Sequence, residues 1–169
     1  PGMKMVVIGN GGPSGLLALG RAGTTSGLQY VTTNDGGDFG WFETPSGMDA
    51  GTPAVYTVIQ GGGAPGAAVP AALSRNGAVL GSGEVYVPPV ATRAANFIGH
   101  SYWPDGKFDG EIAEILVYDR QLSPSEVATV NAYLFDKYGI TTEPAPEPEP
   151  EPEPPAAPAG LEVSAGDGA

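Results

Sequence analysis

Cysteine is missing from the chain and histidine occurs once. These two scarcities exclude disulfide scaffolds, thiol nucleophiles and thiolate metal sites, and they leave His100 without the partners that a catalytic triad or a zinc site requires. Basic residues are also few, 7 against 19 acidic ones. A chain this acidic does not draw nucleic acid by its charge, and it offers no basic patch to anionic lipid. No apolar run nears the roughly 18 residues of a membrane span, and no charged-then-apolar leader is visible. The chain starts at Pro1 and stops in mid-pattern with "GLEVSAGDGA", so it is expected to be a fragment of a longer protein.

Glycine and proline are abundant, 27 and 18 of 169 residues, which suits many short strands and tight turns. "MKMVVIGNGGPSGLLALG" invites comparison with a dinucleotide-binding turn. Its spacing fails: Gly9 and Gly11 fit, but Ser14 occupies the third glycine position, and the helix that should follow is interrupted by Gly20, Gly23 and Gly27. Two short strands joined by a Gly-Pro-Ser turn fit better. "GLQYVTTN", "FGWFET", "AVYTVIQ", "PAALSRNGAVLG", "EVYVPP", "NFIGHSY" and "GEIAEILVYD" are likewise rich in β-branched and aromatic residues and are divided by Gly, Pro, Asn or Asp. Asn76-Gly77 is the strongest local signal for a hairpin with a type I′ turn.

One segment reads as a helix. In "LSPSEVATVNAYLFDKYGI", Ser123 is the N-cap, Pro124 the first helical residue and Glu126 the partner in a capping box. Val127, Val130 and Leu134 share a face, and Lys137, Gly139 and Ile140 form a stop signal. Charge then divides the chain. Residues 1–142 carry 12 acidic and 7 basic side chains, a net of -5, whereas residues 143–169 carry 7 acidic and none basic. The acidic excess of the second part begins in "EPAPEPEPEPEPPAAP", residues 143–158. Its prolines and like charges predict a disordered, extended linker that reaches about 50 Å. Residues 159–169 are similar to the first strand of a fibronectin type III-like domain, with Leu161 and Val163 at period two before an Asp-Gly turn.

Together these readings predict an all-β fold, an antiparallel two-sheet sandwich over residues 1–142 with one C-terminal helix. From Asn76 onward the pattern becomes specific. "NGAVLGSG" followed by "NFIGHSYWPDGKFDGEIAEILVYDRQLSPSEVATVNAYLFDKYGI" resembles the C-terminal half of a bacterial laminin G-like, or concanavalin A-like, jelly-roll domain. Phe108, Gly110, Ile112, Glu114, Ile115, Val117, Tyr118, Arg120, Leu122, Ser123 and Glu126 carry the likeness. On this likeness the domain is expected to be N-terminally truncated. The resemblance implies a noncatalytic binding or adhesion module, carbohydrate-binding above all, in a secreted or cell-surface multi-domain protein. A polysaccharide or glycoprotein would be its partner, with further domains on either side. Two alternatives stand beside it: a protein-binding or structural spacer domain, and a glucanase-type hydrolase.

Candidate site residues follow from chemistry. Tyr102 and Trp103 lie in a turn, "HSYWPDG", from which they could stack on sugar faces; Trp41 is a similar aromatic within a strand, and the alternative for all three is closure of the core ends. Calcium is a possible cofactor, held by Asp105, Asp109 and Glu111, although Lys107 and Leu116 at the third and twelfth positions exclude an EF-hand. Glucanase chemistry would need paired carboxylates on one face. Asp109 and Glu111 share a strand parity that Glu114 does not, so Glu114 is expected to be structural, bonding backbone or Arg120.

Overall fold

The computed structural model describes residues 3–9 and 15–141. The expected turn at 10–14, the expected linker at 143–158 and the expected fibronectin-like strand at 159–169 lie outside the described residues.

Alternating side chains in the first half of the chain build one antiparallel sheet. Strands β1 (Lys4–Ile8), β2 (Leu17–Arg21), β3 (Gly27–Thr33) and β4 (Phe39–Gly47) follow one another as antiparallel neighbours. The two-residue strand β8 (Phe97–Ile98) returns to pair with β1, giving the order β4-β3-β2-β1-β8. The glycine-rich opening segment is therefore a pair of strands, with Ile8 opposite Leu17. Strands β5 (Tyr56–Gln60), β6 (Ala68–Arg75) and β7 (Ala78–Tyr86) form the second sheet. The β6–β7 hairpin turns at Asn76-Gly77, both with positive φ (50° and 87°), as a type I′ turn requires. The Asn76 amide also holds the neighbouring chain, its Oδ1 accepting from the Val55 N–H at 2.8 Å.

The two sheets stack face to face as a jelly-roll sandwich. Leu28, Tyr30 and Phe42 from the first meet Val69, Ala71, Leu73 and Val85 from the second in a buried core. The closest approach is β4 over β7. A Cβ on Gly83 would stand 2.7 Å from the Phe42 Cβ, and one on Gly40 would stand 2.7 Å from the Val85 Cα, so both positions require glycine. Polar groups also bridge the sheets. The buried Thr32 hydroxyl donates to the Tyr86 carbonyl at 2.7 Å and accepts from the Tyr86 N–H at 2.9 Å. The Tyr30 hydroxyl reaches Gln60 at 2.6 Å, and its burial pushes its pKa far above the usual tyrosine value.

Helix α1 (Pro124–Tyr138) forms as its caps predict. Ser123 and Glu126 complete the capping box, Gly139 is left-handed, and the Ile140 N–H bonds the Phe135 carbonyl at 2.9 Å. Val127, Val130 and Leu134 are half-buried; the buried residue of the helix is Asn131, whose Oδ1 accepts from Thr57 of β5. Arg120 forks onto Glu126 with contacts of 2.9 and 2.6 Å, and this pair, not Arg120 with Glu114, fixes the turn into the helix. Glu114 is structural by another route, accepting from Lys137 Nζ at 3.0 Å and from the Tyr138 hydroxyl at 2.9 Å.

Three strand expectations are corrected. "EVYVPP" is the end of β7, not a strand of its own, and "NFIGHSY" contributes only Phe97–Ile98. "GEIAEILVYD" enters no ladder. Its composition suits a strand, yet Ile115, Leu116, Val117 and Tyr118 remain 38–71% exposed.

Candidate functional site

Strand alternation gives the five-stranded sheet a second face, opposite the core. Val7, Leu16, Ala18 and Val31 make a buried apolar cluster there, covered by Phe97, Tyr102 and Trp103. Phe97 belongs to β8, and the two other cover residues lie in a loop whose ends are joined by the Phe108 N–H donating to the Gly99 carbonyl at 2.7 Å. Inside the loop the Ser101 hydroxyl bonds the Asp105 carboxylate and accepts from the Trp103 N–H at 3.0 Å. The Tyr102 and Trp103 rings lie 4.2 Å apart at their centroids. His100 sits at the start of this loop, its ring 4.5 Å from that of Phe97.

The uncovered part of the face is a groove of about 640 Å³. Trp103, Pro104 and Asp105 line one wall, Phe39 and Trp41 of β4 line the other, and Lys4, Gln29 and Val31 lie between them. Trp41 is 54% exposed, whereas the next residue, Phe42, is 7% exposed in the core. Strand register makes the floor polar. Lys4 pairs with Gly20, Gly20 with Gln29, and Gln29 with Glu43, so four strands place one row across the sheet. Lys4 Nζ donates to Gln29 Oε1 at 3.0 Å, and Gln29 Nε2 donates to Glu43 Oε1 at 3.0 Å. Gly20 makes this crossing possible: a Cβ there would stand 2.3 Å from the Met3 carbonyl oxygen, 2.8 Å from Lys4 Cα and 3.0 Å from Lys4 Cδ. Lys4 is only 8% exposed, and burial lowers its pKa against the opposing fields of Asp105 and Glu43.

The expected aromatics are thus brought together in part. Trp41 and Trp103 both line the groove, and Tyr102 packs beside Trp103 against the apolar cluster, where burial raises the pKa of its hydroxyl. The expected calcium set is not brought together. Asp105 belongs to the groove wall and is bonded to Ser101, while Asp109 and Glu111 are exposed beyond the loop closure. Among the described residues there is no group of three His, Cys, Asp or Glu side chains able to hold a metal.

Sequence reasoning misses Lys4, Gln29, Phe39 and Glu43. Their signal is parity: Gln29 alternates with Leu28 and Tyr30, and Phe39, Trp41 and Glu43 alternate with Gly40 and Phe42. Among the described residues no helix is long and apolar enough to cross a membrane.

A groove of aromatic walls and a hydrogen-bonded polar floor on one face of a two-sheet sandwich is consistent with the comparison of the chain with known families. No curated protein and no solved structure matches it. The family model described as the concanavalin A-like lectin/glucanases superfamily, of laminin G type, matches residues 4–128, and the chain therefore belongs to that superfamily.

Proposed function

We propose that the domain is a noncatalytic carbohydrate-binding module, with the groove between Trp41 and Trp103 as its site. One observation carries this reading: a half-exposed tryptophan stands on a rigid strand beside a row of polar side chains already oriented by bonds to one another. Concave sites of this kind take a ligand's apolar faces on aromatics and fix its orientation through a few polar groups. The flat faces of a sugar ring and its equatorial hydroxyls match such a surface. Trp41 would stack, while Gln29, Glu43 and the remaining Lys4 N–H donors would bond hydroxyls. Asp105 accepts from Ser101 and Glu43 accepts from Gln29, bonds that hold both carboxylates in place as hydrogen-bonding groups for a ligand. The acidic Pro-Glu stretch after the domain supports a place in a secreted or surface-attached multi-domain protein, tethered to a polysaccharide or glycoprotein.

Affinity electrophoresis and calorimetry on a panel of soluble polysaccharides test the proposal. Truncating a central tryptophan of a binding site costs about 2 kcal/mol or more, so Trp41→Ala should weaken binding about 30-fold while the fold persists. A bound polysaccharide that tolerates Trp41→Ala would place the site elsewhere. A second reading, a protein-binding or spacer domain, draws on the exposed apolar run Ile115–Tyr118. It gains if no polysaccharide of the panel binds.

A further inference from the structure

We infer that the groove selects uncharged or amine-bearing sugar chains and rejects acidic ones, because its cation is balanced from within. The inference rests on the carbohydrate-binding reading and specifies the ligand's charge.

Among the described residues, Lys4 is the one cationic side chain lining the groove. In many anion sites a lysine presents its ammonium to the ligand as a point charge. Here the glycine at position 20 lets the lysine lie flat across β2, and the ammonium ends on Gln29. Asp105 from the wall and Glu43 from the end of the row both act on it electrostatically. A third carboxylate, Glu84, lines a smaller hollow of about 240 Å³ that also borders Trp41. The surroundings of the stacking tryptophan thus hold one nearly buried positive charge and three negative ones. An acidic sugar lying on Trp41 would bring its carboxylate toward Glu43, Glu84 and Asp105. An amine at the same position would be drawn to them, and a neutral ring would meet only hydrogen-bonding groups.

The test uses the full chain and three matched probes: β-1,4-linked hexamers of glucose, glucosamine and glucuronate, titrated by calorimetry at low and high salt. The glucose and glucosamine hexamers should bind, and the glucuronate hexamer should bind about tenfold more weakly at low salt, a gap that narrows as salt screens the carboxylates. Glu43→Gln combined with Asp105→Asn should bring glucuronate to the level of glucose by releasing the Lys4 charge. Thermal unfolding checks that this variant folds; if it does not, Glu43→Gln alone, at an exposed position, should still narrow the gap. Glucuronate binding as tight as glucose, or a ratio unmoved by these substitutions, overturns the charge selection while leaving carbohydrate binding intact. If none of the hexamers binds at millimolar concentration, neutral and acidic members of the polysaccharide panel take their place: an acidic polysaccharide bound as tightly as a neutral one overturns the selection, and failure of the whole panel overturns the carbohydrate reading and the selection with it.

Discussion

Trp41 and Phe42 are adjacent aromatics assigned to opposite faces of β4, and replacing each by alanine should separate stability from binding. Phe42 is 7% exposed and packs over Gly83, which has no side chain to fill a void. Deleting a buried phenylalanine removes about 150 Å² of apolar surface from the core, worth about 4 kcal/mol at ~25 cal/mol per Å². That agrees with the ~3–5 kcal/mol seen for such truncations elsewhere. At roughly 3–5 °C per kcal/mol for a domain of this size, Phe42→Ala should lower Tm by about 10–20 °C. Trp41, 54% exposed, rests on the outer face, so Trp41→Ala should cost at most about 1 kcal/mol of stability and show its effect in binding instead. Circular dichroism melts of the two variants against wild type measure both numbers. Equal destabilisation, or a larger loss from Trp41→Ala, would refute the register of β4 and remove the wall of the groove.

Three further substitutions probe the floor of the groove and the entry to the helix. Gly20→Ala forces a Cβ into backbone atoms of Met3 and Lys4, so it should cost about 1–3 kcal/mol in a melt, and Lys4→Ala should not rescue it because the Met3 carbonyl and the Lys4 Cα remain. An unchanged Tm would show that β1 and β2 are farther apart than described. Glu126 has its pKa held down to about 2, chiefly by its hydrogen bonds from Arg120 and then by those from Ser123. A folded pKa below the unfolded value of about 4.3 means the stabilisation is complete above that pH and is lost as pH falls toward 2. Helicity and Tm should therefore drop between pH 5 and 2 in wild type, with a shallower drop in Glu126→Gln; identical acid profiles would show that the Arg120–Glu126 fork contributes nothing.

Local chemistry makes the β6–β7 hairpin and helix α1 legible in the sequence, since Asn76-Gly77 and the Ser123/Glu126/Gly139 caps act through neighbours a few residues away. The groove is legible only in its aromatics. Alternation in "FGWFET" separates Trp41 from Phe42, but both are aromatic, so nothing local says which one faces the core. The Lys4–Gln29–Glu43 row depends on three strand registers and on a glycine between them, all of which are long-range. "GEIAEILVYD" fails as a strand for the complementary reason. Its β propensity describes a side-chain surface, and a ladder also needs a partner strand, which residues local to the segment do not supply. The carboxylates Asp105, Asp109 and Glu111 lie close in sequence, yet the Gly99–Phe108 closure places the first in the loop and the other two beyond it.

The hydrogen bond from Phe108 to Gly99 also makes the intervening residues, 100–107, a self-contained insert. The sheet supplies one side of the groove whatever that insert contains, and closing a loop a few residues longer or shorter changes its entropic cost by only a fraction of a kcal/mol. Tyr102 and Trp103 of that insert also cover the apolar cluster of Val7, Leu16, Ala18 and Val31, so an exchange of its eight residues that keeps an aromatic cover would reshape the Trp103 side of the groove while the Trp41 wall, on β4, stays in place.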